Sequence, residues 1–327
     1  MRLGLLTAKD AASKRLGADL AGWLRDRFPQ VAVRADLGPP PPDVAVAIGE
    51  DHFVLETLAR STSSPILVVG DGFLAEVLAT GARDAIRRVL AGEHWVEERL
   101  RLEASVGGKT LPPAMNEVAL NASRGGGFLR YSLEIDGELV WRDGGDGVIV
   151  ATPTGSTGYG LSAGGPIVME NAEALVLVPI CSATGQTPLV VPHQSVISIR
   201  EVESRVAVEL VRDGRDRVRI RSAGFTVKAA EHPARFVRLG KARYLRVFGK
   251  LRARTASPLP REAPPSAKFL YRLLEDQGPL TERQLIAESG LPERTVRNAL
   301  TYLSKASLVR RAPSLRDARE AIFALIE

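Results

Sequence analysis

The sequence predicts a chain in three parts: an α/β domain over residues 1–99, an all-β sandwich over 100–256 and, beyond a proline-rich linker at 257–265, a small helical domain over 266–327. Three observations carry this. Short, fully apolar runs alternate with helical periodicity near the N-terminus, the pattern of a largely parallel sheet with crossover helices. Residues 100–248 switch to period-two alternation broken by Gly, Asp and Pro. The remainder returns to helical spacing. A length of 327 residues agrees with two or three domains.

In order along the chain, residues 2–7 read as an opening strand and 11–28 as a helix with Leu16, Leu20, Trp23 and Leu24 on one side. A polyproline-like link at 39–42 leads to the apolar strand 44–48, a helical stretch at 53–59 and a second apolar strand, 66–69. Helix-type sequence then runs to about residue 99. In the second part, 131–135, 206–210 and 217–221 alternate as half-buried strands. In the third, Phe269, Leu270, Leu273 and Leu274 mark one side of a helix over 266–277. Thr281 and Gln284 form a capping box for the next helix, and Gly290 ends it. Leu291-Pro292 opens a further helix through Leu303, and strand, turn and strand follow over 310–325.

Composition narrows the function classes. Apolar residues at 45% and charged residues at 25% describe a soluble globular chain rather than a disordered or fibrous one. No apolar run approaches the roughly 20 residues that span a bilayer, and the N-terminus enters a strand directly, so neither a membrane span nor a signal peptide is expected. The lone Cys181 excludes an intramolecular disulfide and suits a reducing cytoplasm. His52, His94, His193 and His232 lack metal-ligand spacing, and no protein metal site is expected. The net charge is +6, yet residues 235–261 alone hold nine basic side chains and no acidic one, so the rest of the chain is slightly acidic. That stretch is either a solvated strand pair and linker or a phosphate-contacting surface.

Two glycine motifs mislead. Gly107-Gly108-Lys109-Thr110 resembles the end of a P-loop, but the required earlier glycine is Glu103, so it reads as a turn. Gly70-Asp71-Gly72-Phe73-Leu74-Ala75 matches a dinucleotide fingerprint after a strand, but the acidic residue expected about 20 positions on, Glu93, falls in helical sequence.

The most informative segment is DGVIVATPTGSTGYGLSAGGP from Asp146. A buried strand delivers Thr, Ser and Gly, which offer hydroxyls and exposed backbone N–H groups without bulk, as a ribose and phosphates require. Tyr159 adds a flat face for a base. With Asn116-Glu117 upstream and Asp213-Gly214-Arg215 downstream, this block resembles the ATP-NAD kinase family, differing in its hallmark only by Gly158 for alanine. The resemblance covers about residues 1–250 and implies an NAD kinase-like fold. It implies that Asn116, Glu117, Thr154, Thr157, Gly158, Tyr159 and Ser162 line an NAD pocket. It also implies that Asp146 holds the nicotinamide side, often across a subunit contact in a homo-oligomer.

The family's catalytic G-G-D-G-T element falls at Gly49-Glu50-Asp51-His52-Phe53. The resemblance implies Asp51 as general base toward the 2′-hydroxyl of NAD and Gly49 as part of the donor-phosphate loop, with ATP and Mg as co-reactants. Glu50, His52 and Phe53 replace the small residues, adding charge and bulk where a triphosphate would pass.

The C-terminal segment resembles winged helix-turn-helix regulators. Arg294, Thr295, Arg297, Asn298 and Thr301 fall largely opposite the apolar face of the second turn-linked helix, suited to phosphates and base edges of double-stranded DNA. A protein–protein module of the same shape is the alternative. Two functions are therefore expected: a cytoplasmic enzyme converting NAD(H) to NADP(H) with ATP or polyphosphate, carrying a DNA-binding module, or a catalytically impaired NAD(P)-sensing transcriptional regulator.

Overall fold

The computed structural model describes residues 1–60, 63–123, 127–220, 224–240, 263–313 and 321–326. They fall into two compact units, Met1–Lys250 and Leu251–Glu327.

The first unit begins as an α/β sheet. Val44–Ile48 and Ile66–Val69 are buried at every position, which only a central strand covered on both faces allows. The sheet order is Ala32–Arg34, Arg2–Thr7, Val44–Ile48, Ile66–Val69, Ala234–Arg238, Trp95–Arg99. All pairs are parallel except the last. Helix Ala11–Arg27 starts where the Asp10 carboxylate accepts the Ser13 amide (2.8 Å), and it buries Gly17, Leu20 and Leu24. Helix Ala82–Leu90 buries Ala82, Ala85, Ile86 and Val89.

Here the structure differs from the helix-type sequence expected up to about residue 99. Helix ends at Leu90, and Trp95–Arg99 is a strand pairing antiparallel with Ala234–Arg238, so the chain returns to the α/β sheet after the β-rich part. Glu97 and Arg99 hide the period-two pattern, being charged yet buried.

Between those returns lie two six-stranded antiparallel sheets. One runs Glu138–Gly145, Leu129–Ile135, Ile197–Ser204, Phe225–Ala229, Leu102–Val106, Lys109–Thr110. The other runs Leu189–Pro192, Ala174–Ile180, Gly147–Ala151, Glu117–Ala122, Val208–Arg212, Asp216–Ile220. They share one core, with Leu133 and Ile199 from the first meeting Leu120, Val150 and Leu210 from the second. Gly147–Ala151 is buried on both faces: Val148 and Val150 point into that core, while Ile149 and Ala151 pack with Val176 and Val178. Gly107 and Gly108 form the expected turn, both at positive φ.

The second unit contains helices Pro265–Gln277, Glu282–Ser289 and Glu293–Lys305 and a sheet ordered Leu280–Thr281, Ala321–Leu325, Val309–Pro313. The Thr281–Gln284 capping box is formed, and Gly290 closes its helix at φ 65°. Val296, Ala299, Leu300 and Leu303 join Leu270, Leu274, Leu285 and Phe323 in its core.

Much of the basic 235–261 stretch, and most of the 257–265 linker, lies outside the described residues. Of its described members, Arg235 donates to the Ser63 carbonyl (2.9 Å), whereas Arg238 is only 1% exposed. Arg238 is therefore a core ion-pair residue and not a phosphate contact, because its guanidinium is already held by Glu76 and Glu97.

Candidate active site

The strand Gly147–Ala151 ends in a loop built from its own hydroxyls. Thr152 Oγ1 donates to the Met115 carbonyl (2.7 Å) and accepts the Gly155 amide (3.0 Å). Ser156 Oγ donates to the Pro153 carbonyl (2.7 Å) and accepts the Val168 amide (3.0 Å). Thr157 Oγ1 donates to the Thr154 carbonyl (3.2 Å). The Thr152 amide donates to the Asn116 carbonyl (2.9 Å), so the loop is stitched to the Asn116-Glu117 pair. Gly155 has to be glycine: a Cβ there would stand 2.0 Å from the Asn116 carbonyl oxygen. At Gly158 a Cβ would meet the Gly155 carbonyl at 3.1 Å and Glu117 Oε2 at 3.5 Å, tight but tolerable.

A third segment closes the cradle. Asp213, at the turn between Val208–Arg212 and Asp216–Ile220, accepts the amides of Met115 (3.0 Å), Asn116 (2.7 Å) and Glu117 (3.3 Å). Burial, reinforced by the nearby Asp213 charge, pushes the Glu117 carboxyl up to about 8. Burial also raises Asp213, outweighing the three amides. At neutral pH Glu117 is thus largely protonated and can donate a hydrogen bond, a property its sequence position does not reveal.

The structure brings the expected acceptor residues together. Thr154, Thr157 and Glu117 are buried and Asn116 half-buried. Tyr159, at the start of the short helix Tyr159–Ser162, is 41% exposed, and Asp146 and Glu117 lie close enough to help raise its hydroxyl's pKa after burial. Asp146 is exposed beside Cys181, and Ser162 is exposed at the end of the short helix, its hydroxyl donating to the Gly158 carbonyl (3.4 Å).

Gly49 and Asp51 stand at the C-terminal end of strand Val44–Ile48, where Asp51 starts helix Asp51–Arg60. Its carboxylate accepts the amides of Phe73 (Oδ2, 2.9 Å) and Leu74 (Oδ1, 2.9 Å). Gly72 permits that approach, since a Cβ there would fall 2.3 Å from Asp51 Oδ1, and Gly70 lets its loop pass against the Gly49 carbonyl. The Gly70–Gly72 glycines therefore serve this loop contact. No helix opens at Gly72 as a dinucleotide fingerprint needs; the next α-helix starts at Ala82. Beside the loops lies a crevice of about 440 Å³ lined by Asp10, Glu50 and Asp71, with Gly49, Gly70 and Leu16. Among its lining residues there is no Lys or Arg.

Arg215 links the two halves. From the Asp213 turn its Nη1 donates to the His52 carbonyl (2.8 Å), and Nη2 lies 3.9 Å from Glu56. In the sequence Arg215 stands only as the last residue of the Asp213-Gly214-Arg215 segment. Its reach to the Asp51 helix follows from the return of the chain at 208–216.

The ATP-NAD kinase C-terminal domain family matches residues 115–239. The NAD kinase of Methanothermobacter thermautotrophicus is 34% identical over 273 residues, covering 77% of this chain and 96% of that protein. The chain belongs to the NAD kinase family. The NAD kinase of Methanopyrus kandleri is 36% identical over 218 residues, 64% of this chain and 77% of its own. An NAD kinase from Archaeoglobus fulgidus in complex with ATP superposes with a TM-score of 0.64 at 28% identity, covering 77% of this chain and 99% of that one. Yeast NADH kinase complexed with NADH shares the fold (TM-score 0.67, 23% identity, 79% and 89% coverage). These matches agree with the first unit's combination of an α/β part and a sheet-rich part. In this family's hallmark loop the chain keeps Thr154, Thr157 and Tyr159, while the element around Asp51 departs from G-G-D-G-T.

On the C-terminal unit, Arg294, Arg297, Asn298 and Thr301 are exposed and Thr295 is half-buried on helix Glu293–Lys305. Arg297 is less available than its position suggests: it pairs with Glu282 (2.6 Å) and Glu293 (2.5 Å). No helix among the described residues is long and apolar enough to cross a membrane.

Proposed function

We propose that the chain transfers a phosphoryl group to the 2′-hydroxyl of NAD(H), giving NADP(H), with ATP or polyphosphate as donor. The observation that carries this is the interlock of the Thr152–Thr157 loop with Asn116-Glu117 and Asp213 at the end of a doubly buried strand. The hydroxyls of Thr152, Ser156 and Thr157 are spent on backbone groups of the loop and of the neighbouring Met115 and Val168, so the cradle is rigid before substrate arrives. Asn116 supplies an amide for a ribose or adenine edge, neutral Glu117 a carboxyl donor, and Tyr159 a half-exposed ring for a base. Thr154, Thr157, Gly158 and Ser162 line the pocket, and the exposed Asp146 serves the nicotinamide side of a neighbouring copy in a homo-oligomer.

Asp51 is the base. It takes the 2′-hydroxyl proton as the oxygen attacks the terminal phosphorus and the bond to the departing phosphate chain breaks. Each of its carboxylate oxygens accepts a single loop amide, from Phe73 or Leu74, and keeps a lone pair for the proton, so the carboxylate acts while held. The exposed carboxylates Glu50 and Asp71, hard oxygen donors lining one crevice, are the residues that would hold a Mg²⁺. When bound there, Mg²⁺ supplies positive charge that offsets Glu50 and Asp71 against the donor. Gly49, at a φ of 150°, has no room for a side chain, since a Cβ there would fall 2.7 Å from the Ala8 Cβ.

The C-terminal unit is read as a winged helix-turn-helix that contacts double-stranded DNA through Arg294, Thr295, Asn298 and Thr301, with Arg297 freed only by breaking its pairs with Glu282 and Glu293.

The test uses the purified full chain with NAD, Mg²⁺ and either ATP or polyphosphate, monitored for NADP. Turnover is expected, and Asp51→Asn should lower it by a factor of at least about 100. Tight NAD(P) binding without turnover in the unmutated chain would replace the enzyme with an NAD(P)-sensing regulator.

A further inference from the structure

Five charged side chains are buried together in the first unit. Strands Trp95–Arg99 and Ala234–Arg238 pair so that Glu97, Arg99, Phe236 and Arg238 share one face. Arg238 Nε donates to Glu97 Oε2 (2.7 Å) and its Nη1 to Glu76 Oε2 (3.0 Å), while Glu76 Oε1 accepts the Leu239 amide (2.8 Å). Arg99 Nη2 donates to the same Glu97 oxygen (2.9 Å) and to Glu170 Oε2 (2.6 Å). Both guanidinium groups lie over the Phe236 ring, at 4.8 and 5.0 Å from its centre. None of the five side chains is more than 8% exposed.

Burying so much charge is costly, and apolar residues of similar volume commonly give equal or greater stability. What such a network does supply is fixed geometry, and its two ends reach the two halves of the candidate site. Glu76 belongs to the loop whose Phe73 and Leu74 amides hold the Asp51 carboxylate. Glu170 follows Val168, whose amide and carbonyl both meet Ser156 Oγ in the Thr152–Thr157 loop.

We propose that this network is a positioning device for phosphoryl transfer: Glu76 sets the loop that holds Asp51, Glu170 sets the acceptor loop, and Arg238, Glu97 and Arg99 join them rigidly. The assignment of kinetic roles rests on the kinase reading above; the assignment of loop order does not.

The two ends predict different signatures. Three carboxylates face two guanidiniums, so E76Q and E170Q each leave two against two and create no unpaired buried cation. With E76Q, kcat should fall about tenfold with KM for NAD within about twofold; with E170Q, KM for NAD should rise about tenfold with kcat within about twofold. Amide hydrogen exchange on the same proteins, without substrate, should speed up at Phe73 and Leu74 in E76Q, and at Val168 in E170Q. Should either variant fail to fold, E76D and E170D keep the charge, shorten the reach and carry the same expectations.

Kinetic parameters that shift together in both variants, or exchange that rises uniformly over the first unit, would reduce the network to a general stabilising element and overturn the proposal. Unchanged exchange at both loops would overturn it as well. An unmutated chain that makes no NADP refutes the kinase reading instead, and the exchange pattern still decides the network.

Discussion

Glu117 is a carboxyl whose surroundings matter more than its identity. It is buried beside Asp213, and its proton is retained up to about 8. The unfolded chain releases that proton near 4.5, so between these values the folded form binds more protons than the unfolded one. Stability contributed at this site therefore falls as pH rises through that window and levels off above it. Glu117→Gln should remove the dependence, leaving a melting temperature that is higher than the unmutated chain's at pH 8 and converges on it toward pH 5. NAD affinity gives a second reading. Ionising Glu117 adds a negative charge beside a ligand whose pyrophosphate is dianionic, so binding should weaken above pH 8 in the unmutated chain and stay flat in Glu117→Gln. Calorimetric titration between pH 6 and 9 checks both slopes. An affinity that is flat in both proteins would show that Glu117 does not face the ligand. The sequence marked Glu117 as a site residue through its motif, but its protonation depends on Asp213, which is 96 positions distant and arrives by hairpin return.

At the scale of elements, the Thr152–Thr157 loop and its neighbours form one backbone-locked piece. Its glycines differ in what they tolerate. Gly155→Ala places a methyl 2.0 Å from the Asn116 carbonyl oxygen, against backbone that cannot yield without moving Asn116 itself. The change should cost about 1–3 kcal/mol of stability by overpacking and at least about tenfold in NAD affinity. Gly158→Ala adds a methyl at 3.1 Å from its nearest neighbour and should change NAD affinity by less than about threefold. Denaturant melts and equilibrium binding on the two variants check the contrast. Equal effects would mean that the loop is not held against Asn116 as described. Much of this piece was legible beforehand, because the apolar run 147–151 and the Thr/Ser/Gly run after it are contiguous. The strand at 95–99 was not. Trp95–Arg99 carries Glu97 and Arg99 at inward positions, and only partners from 76, 170 and 238 make that burial affordable, so its strand character is invisible to local pattern.

For the whole molecule, the charge excess in 235–261 invites a single DNA-binding surface at the junction, and the structure divides that idea. Arg238 is withdrawn into the core and Arg235 is tied to Ser63 and Glu98. On helix Glu293–Lys305, Arg294 is exposed with Asn298 and Thr301, while Arg297 begins in ion pairs with Glu282 and Glu293. Phosphate contact by Arg297 would have to displace two carboxylates, and those carboxylates repel DNA until displaced. Three results are therefore expected from electrophoretic shift with duplex DNA. The full chain should bind weakly, with a log–log salt slope matching a few phosphate contacts rather than the nine or so that the basic count suggests. Removal of residues 263–327 should abolish the shift. Glu282→Gln should tighten binding and steepen the slope, because it releases Arg297 and removes a repelling charge. A truncated chain that still shifts DNA would place the contact in the basic stretch before residue 263. A Glu282→Gln protein with unchanged affinity and slope would remove helix Glu293–Lys305 from the interface and leave it as a packing element of a protein–protein module.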